Sequence, residues 1–186
     1  MEKKRLIDVT NSKLRLLVTT KCPNNCPLCC NKGWNFDNLP IVERWNYEQI
    51  MITGGEPLLY TSKVCDLVRS IRSINRAMGL SPQVFIYTAV ADRHRFFDIL
   101  EVVDGVVYTP HNEHDVREFI TLNNILRADP RLTKDKSMRL NLFDNIKAML
   151  PQDIDLSKWQ VKDMEWIKDC PVPKGEDFRR IAKLFL

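Results

Sequence analysis

The stretch "LRLLVTTKCPNNCPLCC", residues 14–30, joins a short apolar run directly to a polar loop that holds four cysteines. The apolar run at 14–19 is typical of a buried strand that ends at a loop. The prolines and asparagines between the cysteines favour turns, so the loop can fold back on itself. A disulfide framework, a zinc site, an iron–sulfur cluster and a redox pair of thiols are all compatible with this crowding.

The composition is that of one ordinary globular domain. The chain has 186 residues, of which 44% are hydrophobic and 28% charged, and its net charge is +4. The lysines and arginines are scattered, which indicates no nucleic-acid-binding surface. No apolar run approaches the ~18 residues of a membrane span, and no apolar segment follows the basic N-terminus as in a signal peptide. We therefore expect a cytoplasmic protein without a membrane partner, in which reduced thiols disfavour a disulfide framework.

Short apolar runs alternate with amphipathic stretches along the chain. The apolar runs predict six strands, at 14–19, 50–54, 83–89, 102–109, 137–143 and 158–164. The amphipathic stretches predict helices at 62–78, 92–101, 113–128, 144–150 and 174–186. Ser62 and Gly79 are expected to cap the first of these helices, and Asp92 the second.

This alternation implies an α/β fold with parallel strands and crossover helices. Six strands are too few for a complete eight-stranded barrel, so an open sheet or a partial barrel fits. We expect a single domain over 1–186, with 151–186 as a C-terminal extension that packs on its body.

Two motifs come directly after the first two predicted strands. The cysteine loop follows 14–19, and "GGEP" at 54–57 ends the strand predicted at 50–54. Functional groups of parallel α/β sheets gather at the carboxyl ends of the strands. We therefore expect both motifs at the same edge of the sheet.

The cysteine spacing narrows the choice of metal chemistry. Zinc sites usually need a second pair of ligands far along the chain, whereas Cys65 and Cys170 are isolated. A redox pair needs two thiols and leaves Cys22 unexplained. Cys22, Cys26 and Cys29 can ligate three irons of a cubane cluster, which leaves the fourth iron open to another ligand. Cys65 is expected to be a buried small hydrophobe.

The combination of Cys22-x3-Cys26-x2-Cys29 after one strand and "MITGGEPLL" at 51–59 after the next resembles the radical S-adenosylmethionine (radical SAM) superfamily. The resemblance implies a partial, open, TIM-like parallel (β/α)6 barrel, a [4Fe–4S] cluster and S-adenosyl-L-methionine as cofactors. In that superfamily of metal-binding oxidoreductases, an electron from the cluster cleaves S-adenosylmethionine, and the 5′-deoxyadenosyl radical abstracts a substrate hydrogen atom. An electron donor resembling flavodoxin or ferredoxin is implied as a partner.

The same resemblance assigns roles to individual residues. Cys22, Cys26 and Cys29 would be the catalytic cluster ligands, and Gly54, Gly55 and Glu56 would hold the methionine ammonium group. Pro57 would rigidify that turn, and Leu28 stands where the superfamily usually has an aromatic residue against adenine. Further cofactor contacts are expected, from their positions after later strands, at Thr88, Thr109, His111 and Asn141. Trp34 and Trp45 are candidates for the wall of a substrate cavity.

The substrate is not named by these motifs. The short chain resembles the minimal members of the superfamily, which include the enzymes that activate glycyl-radical enzymes and enzymes similar to 7-carboxy-7-deazaguanine synthase. An open barrel favours a macromolecular substrate such as a protein glycyl loop, and the "ITGGEPLL" stretch favours the small-molecule alternative. A non-catalytic iron–sulfur or zinc-binding module is the alternative outside enzymology.

Overall fold

Seven parallel strands form one sheet in the computed structural model, which describes residues 12–26, 29–167 and 171–186. The strands follow one another across the sheet in the order β6-β5-β4-β3-β2-β1-β7, so the sheet is open and has two edges. Their bounds are β1 Lys13–Thr19, β2 Gln49–Gly54, β3 Gln83–Thr88, β4 Gly105–Tyr108, β5 Ser137–Phe143, β6 Gln160–Met164 and β7 Glu176–Arg180.

Helices connect the successive strands from β2 to β5, and a short helix follows β5. They are α1 Thr61–Ala77, α2 Arg93–Leu100, α3 Glu113–Ala128 and α4 Asp144–Lys147. The Asp92 carboxylate accepts a hydrogen bond from the Arg95 N–H and caps α2, as expected. Gly79 has a φ of +72° just after α1, which is the left-handed conformation that ends many helices. The expected Ser62 cap is wrong, because α1 begins at Thr61 after a 3₁₀ turn at Pro57–Tyr60.

The two faces of the sheet have different partners. One face belongs to a single hydrophobic cluster with buried residues of α1, α2 and α3, and it includes Leu16, Ile52, Ile86, Val106 and Leu140. Alternate residues of a strand point to opposite faces. The other face, which we call the inner face, carries a second set of buried apolar residues, Leu17, Met51, Phe85 and Val107.

The connection from β6 to β7 crosses the whole sheet. These two strands lie at opposite edges, and every strand pair is parallel, so β6 ends at the carboxyl edge whereas β7 begins at the amino edge. The described parts of this connection, 165–167 and 171–175, contain no helix. Residues 165–167 and 171–173 line a cavity together with inner-face residues. The chain itself therefore covers part of the face that the helices leave open.

The sequence predicts most of these elements and is wrong about the last. All six predicted strands are present, and α3 spans the predicted 113–128. The helix expected at 174–186 is instead β7, which pairs with β1 from Lys13↔Glu176 to Leu17↔Arg180. The backbone of β1 offers a full row of hydrogen-bonding groups at that edge, and pairing with them outweighs the helical spacing of the apolar residues. The expected extension at 151–186 thus contributes both edge strands. None of the helices in the described part of the chain is long and apolar enough to cross a lipid bilayer.

Candidate functional site

A cavity of about 380 Å³ lies at the carboxyl ends of the central strands and continues along the inner face. Cys22, Cys26 and Cys29 line it from the loop after β1, and residues 54–56 line it from the end of β2. The two motifs, which are well separated in sequence, therefore meet at one site.

The three thiols of the cysteine loop lie close enough to influence one another. Packing around the sulfur raises the pKa of the Cys26 thiol, and the neighbouring Cys29 and Cys22 raise it further. The same cause raises the pKa of Cys22, although that residue is exposed overall, and the Glu56 carboxylate adds to the effect. The loop alone therefore favours protonated thiols, and a bound metal cation would be needed to favour thiolates.

No group of three or more His, Cys, Asp and Glu side chains within the described residues converges closely enough to hold a metal ion.

The glycines of the second motif lie directly against the loop that carries the cysteines. The Gly55 N–H donates to the Thr19 carbonyl oxygen at 2.7 Å, and the Glu56 N–H donates to the Lys21 carbonyl oxygen at 2.7 Å. A Cβ at Gly54 would collide with the Thr19 backbone, and one at Gly55 would collide with the Lys21 backbone. Gly54 also has a φ of +147°, which side chains rarely allow. The double glycine is therefore required for the chain to pack against itself.

Glu56 is almost completely buried beneath this turn, with 1% of its surface exposed. Its Oε1 atom accepts hydrogen bonds from the Leu58 N–H at 2.9 Å and the Thr88 hydroxyl at 2.7 Å, and Oε2 accepts one from the Ala89 N–H at 2.9 Å. Burial raises the pKa of this carboxyl group in spite of the three bonds. The side chain expected to hold an ammonium group thus also ties the end of β2 to the end of β3.

The structure brings together the residues expected from their positions after later strands. Thr88, Thr109, His111 and Asn141 all line the cavity. The Asn141 amide donates to the Thr109 hydroxyl oxygen at 3.2 Å. Pro57 is buried at the start of a 3₁₀ turn and is not among the residues that line the cavity.

Leu28, which was expected to lie against adenine, is outside the described residues, as is Cys170. Cys65 is buried in α1, where only 4% of it is exposed, which confirms its expected role as a small hydrophobe.

Aromatic side chains form two walls of the cavity. Phe143 and Trp166 stack with their ring centroids 4.0 Å apart and an interplanar angle of 6°, and His111 lies 5.9 Å from both. Burial lowers the pKa of His111, so its imidazole favours the neutral form. On the other side, Trp34 meets Phe178 edge to face at 5.0 Å. Trp34 therefore lines the cavity as expected, whereas Trp45 packs against the hydrophobic cluster instead.

Several residues of the site are not predicted from the sequence. Arg15 lines the cavity from the middle of β1, bonded to Glu176 and placed 5.3 Å from the centre of the Tyr87 ring. The signal for Arg15 in the sequence is a charged residue inside the apolar run at 14–19. Asn24 and Asn31 also line the cavity, and the Asn31 amide donates to the Gly54 carbonyl oxygen at 3.1 Å.

No model of a known protein family matches the chain, and no curated protein matches it. The function of the site therefore rests on its own residues and their arrangement.

Proposed function

We propose that the chain is a radical SAM enzyme, in which Cys22, Cys26 and Cys29 hold a [4Fe–4S] cluster and the adjoining Gly-Gly-Glu turn binds S-adenosylmethionine. One observation carries this proposal: the three cysteines and residues 54–56 line the same cavity, and two backbone hydrogen bonds hold their loops together. We further propose that the open parallel sheet is a partial TIM-like barrel whose interior is the inner face.

The residues present fit such a cluster. Three thiols come from one loop and line one cavity, which is the kind of donor set that such a cluster takes. When bound, the cluster supplies the electron that cleaves S-adenosylmethionine to the radical that abstracts a substrate hydrogen atom. An electron donor similar to flavodoxin or ferredoxin would be the redox partner.

The protein's own part in this chemistry is to bind, orient and enclose. The Gly54 carbonyl oxygen already accepts from an amide that lines the cavity, so an ammonium group can use the same acceptor from the same side. The buried Glu56 carboxylate keeps the turn in place through Thr88 and Ala89. The aromatic pairs Phe143–Trp166 and Trp34–Phe178 exclude water from the space in which a radical would react.

Two classes of substrate are compatible with this proposal: a glycyl loop of a partner protein and a small molecule. A glycyl loop of a partner protein needs an open approach to the cavity. Residues 165–167 and 171–173 border the cavity on the inner face. In an open barrel, that face would be uncovered. A cavity of about 380 Å³ is near the lower end of the range for sites that enclose a small ligand. These walls favour the second candidate, a compact small-molecule substrate.

The test is an anaerobic reconstitution with iron and sulfide. We expect a [4Fe–4S] spectrum, a change in its electron paramagnetic resonance signal on addition of S-adenosylmethionine, and 5′-deoxyadenosine after reduction with dithionite. Alanine at Cys22, Cys26 or Cys29 should abolish all three results.

The matched control is Cys65→Ala, because Cys65 is buried in α1 and does not line the cavity. This variant should behave like the unchanged protein. Zinc binding in place of iron, or a cluster with no response to S-adenosylmethionine, would overturn the proposal in favour of a binding module.

A further inference from the structure

A buried acid links the cysteine loop to the start of α3. Asp115 lies in the first turn of α3 and is 5% exposed. Its Oδ2 atom accepts hydrogen bonds from the Asn24 side-chain amide at 2.9 Å, the His111 backbone N–H at 2.9 Å and the Asn112 side-chain amide at 3.1 Å. Asn24 lies between Cys22 and Cys26, so one oxygen atom joins the loop to a distant part of the chain.

The link is anchored in the rigid part of the fold. The Tyr108 hydroxyl, at the end of β4, donates to the Asp115 carbonyl oxygen at 3.0 Å and is itself fully buried. The Asn112 side chain accepts from the Asp115 N–H at 2.9 Å and caps the helix. Both contacts fix the backbone from which the carboxylate projects, so the loop is fastened to the sheet and not merely to another loop.

The groups around the Asp115 carboxylate are ones that stabilise a negative charge. The three groups that donate to Oδ2 are neutral N–H groups, and the N-terminus of a helix stabilises an anion. The three hydrogen bonds offset the cost of burying this carboxylate beside the cysteine loop.

We infer that Asp115 is a positioning residue of the cluster site: through Asn24 it holds the cysteine loop in place, and its charge lowers the reduction potential of the bound cluster. This inference rests on the proposed function. The potential of an iron–sulfur cluster depends on nearby charge and hydrogen bonding, and a neighbouring anion disfavours the added electron.

Two variants separate the two parts of this role. Asn24→Ala removes the link and keeps the charge, whereas Asp115→Asn removes the charge and keeps an acceptor oxygen for Asn24. Asp153→Asn is the control, because Asp153 is an exposed acid far along the chain from the loop. Circular dichroism establishes that each variant is folded.

The first measurement uses the metal-free, reduced protein and iodoacetamide, with the modification of each cysteine followed by mass spectrometry of peptides. Asn24→Ala should increase the rates at Cys22 and Cys26 several-fold and leave Cys65 unchanged. Equal rates in Asn24→Ala and the unchanged protein would overturn the positioning role, whether or not a cluster forms.

The second measurement is a redox titration of the reconstituted protein. Asp115→Asn should shift the cluster potential to a more positive value, and Asp153→Asn should not. An unchanged potential in a folded, loaded Asp115→Asn protein overturns the electrostatic part. If the unchanged protein assembles no cluster at all, the proposed function fails, and the iodoacetamide rates alone decide whether Asp115 fastens the loop.

Discussion

At the scale of single residues, the site depends on backbone packing as much as on its side chains. Gly54 and Gly55 lie where any Cβ would meet the backbone that leads into the cysteine loop. The glycines that the superfamily resemblance assigns to cofactor binding are thus already required by the protein's own fold. The proposed cofactor-binding role is compatible with this packing, because the Gly54 carbonyl oxygen still faces an N–H donor in the cavity.

The substitution Gly55→Ala should lower the free energy of unfolding by ~1–3 kcal/mol, because the added Cβ forces the two loops apart. Urea denaturation of the reduced, metal-free protein measures this. Gly33→Ala is the matched control, since nothing lies within 4 Å of a Cβ built there. A Gly55→Ala protein as stable as Gly33→Ala would show that the loops separate without cost.

The buried Glu56 predicts a particular dependence of stability on pH. Its pKa is raised in the folded protein, so the folded state favours the protonated side chain. The stability that this gives is fully present below the unfolded pKa of about 4.3 and is lost as the pH rises through the folded pKa. The glutamine side chain of the Glu56→Gln variant cannot ionise, so this variant does not lose that stability as the pH rises.

We therefore expect the unchanged protein to lose stability relative to Glu56→Gln as the pH increases from about 4. Unfolding midpoints in urea over a series of pH values give the difference between the two proteins. A difference that stays constant over the series, or that changes with the opposite sign, would contradict the raised pKa.

At the scale of elements, α3 shows what the sequence predicts well. Its apolar residues have helical spacing, the Asn112 side chain caps its first turn, and the helix spans the predicted 113–128. The placement of both motifs at one edge follows equally well, because the carboxyl ends of parallel strands share an edge.

The strand β7 shows what the sequence does not predict. Phe178, Ile181 and Phe185 have helical spacing, but the Ile181 and Phe185 N–H groups donate to Leu17 and Val18 of β1. The link between Asn24 and Asp115 is hidden for the same reason, since 91 residues separate its partners. Local pattern determines local elements, whereas these features depend on which distant segment offers an unsatisfied partner.

At the scale of the whole molecule, an ion pair joins the first described strand to the last. Arg15 donates to Glu176 Oε2 through Nε at 2.9 Å and through Nη2 at 2.8 Å. The two side chains are only 22% and 10% exposed, so solvent screens this pair less than it screens the surface pairs.

A double-mutant cycle with Arg15→Met and Glu176→Gln should give a coupling energy of about 1 kcal/mol, above the usual value for surface pairs. The comparison cycle is Lys147→Met with Asp163→Asn, whose side chains are 53% and 63% exposed. That pair should give less than about 0.5 kcal/mol. Urea unfolding measures both, and equal coupling in the two cycles would argue against a structural role for Arg15.

The pairing of β1 with β7 also determines when folding can be completed during synthesis. A ribosome releases β1 and the cysteine loop long before it reaches Glu176, which lies 161 residues after Arg15. Contacts between such distant segments form late in folding. Until then, one edge of the strand beneath the cysteine loop has no partner, and exposed strand edges recruit other chains. A translation product that stops short of β7 would therefore leave the edge of β1, next to the cysteine loop, open to aggregation.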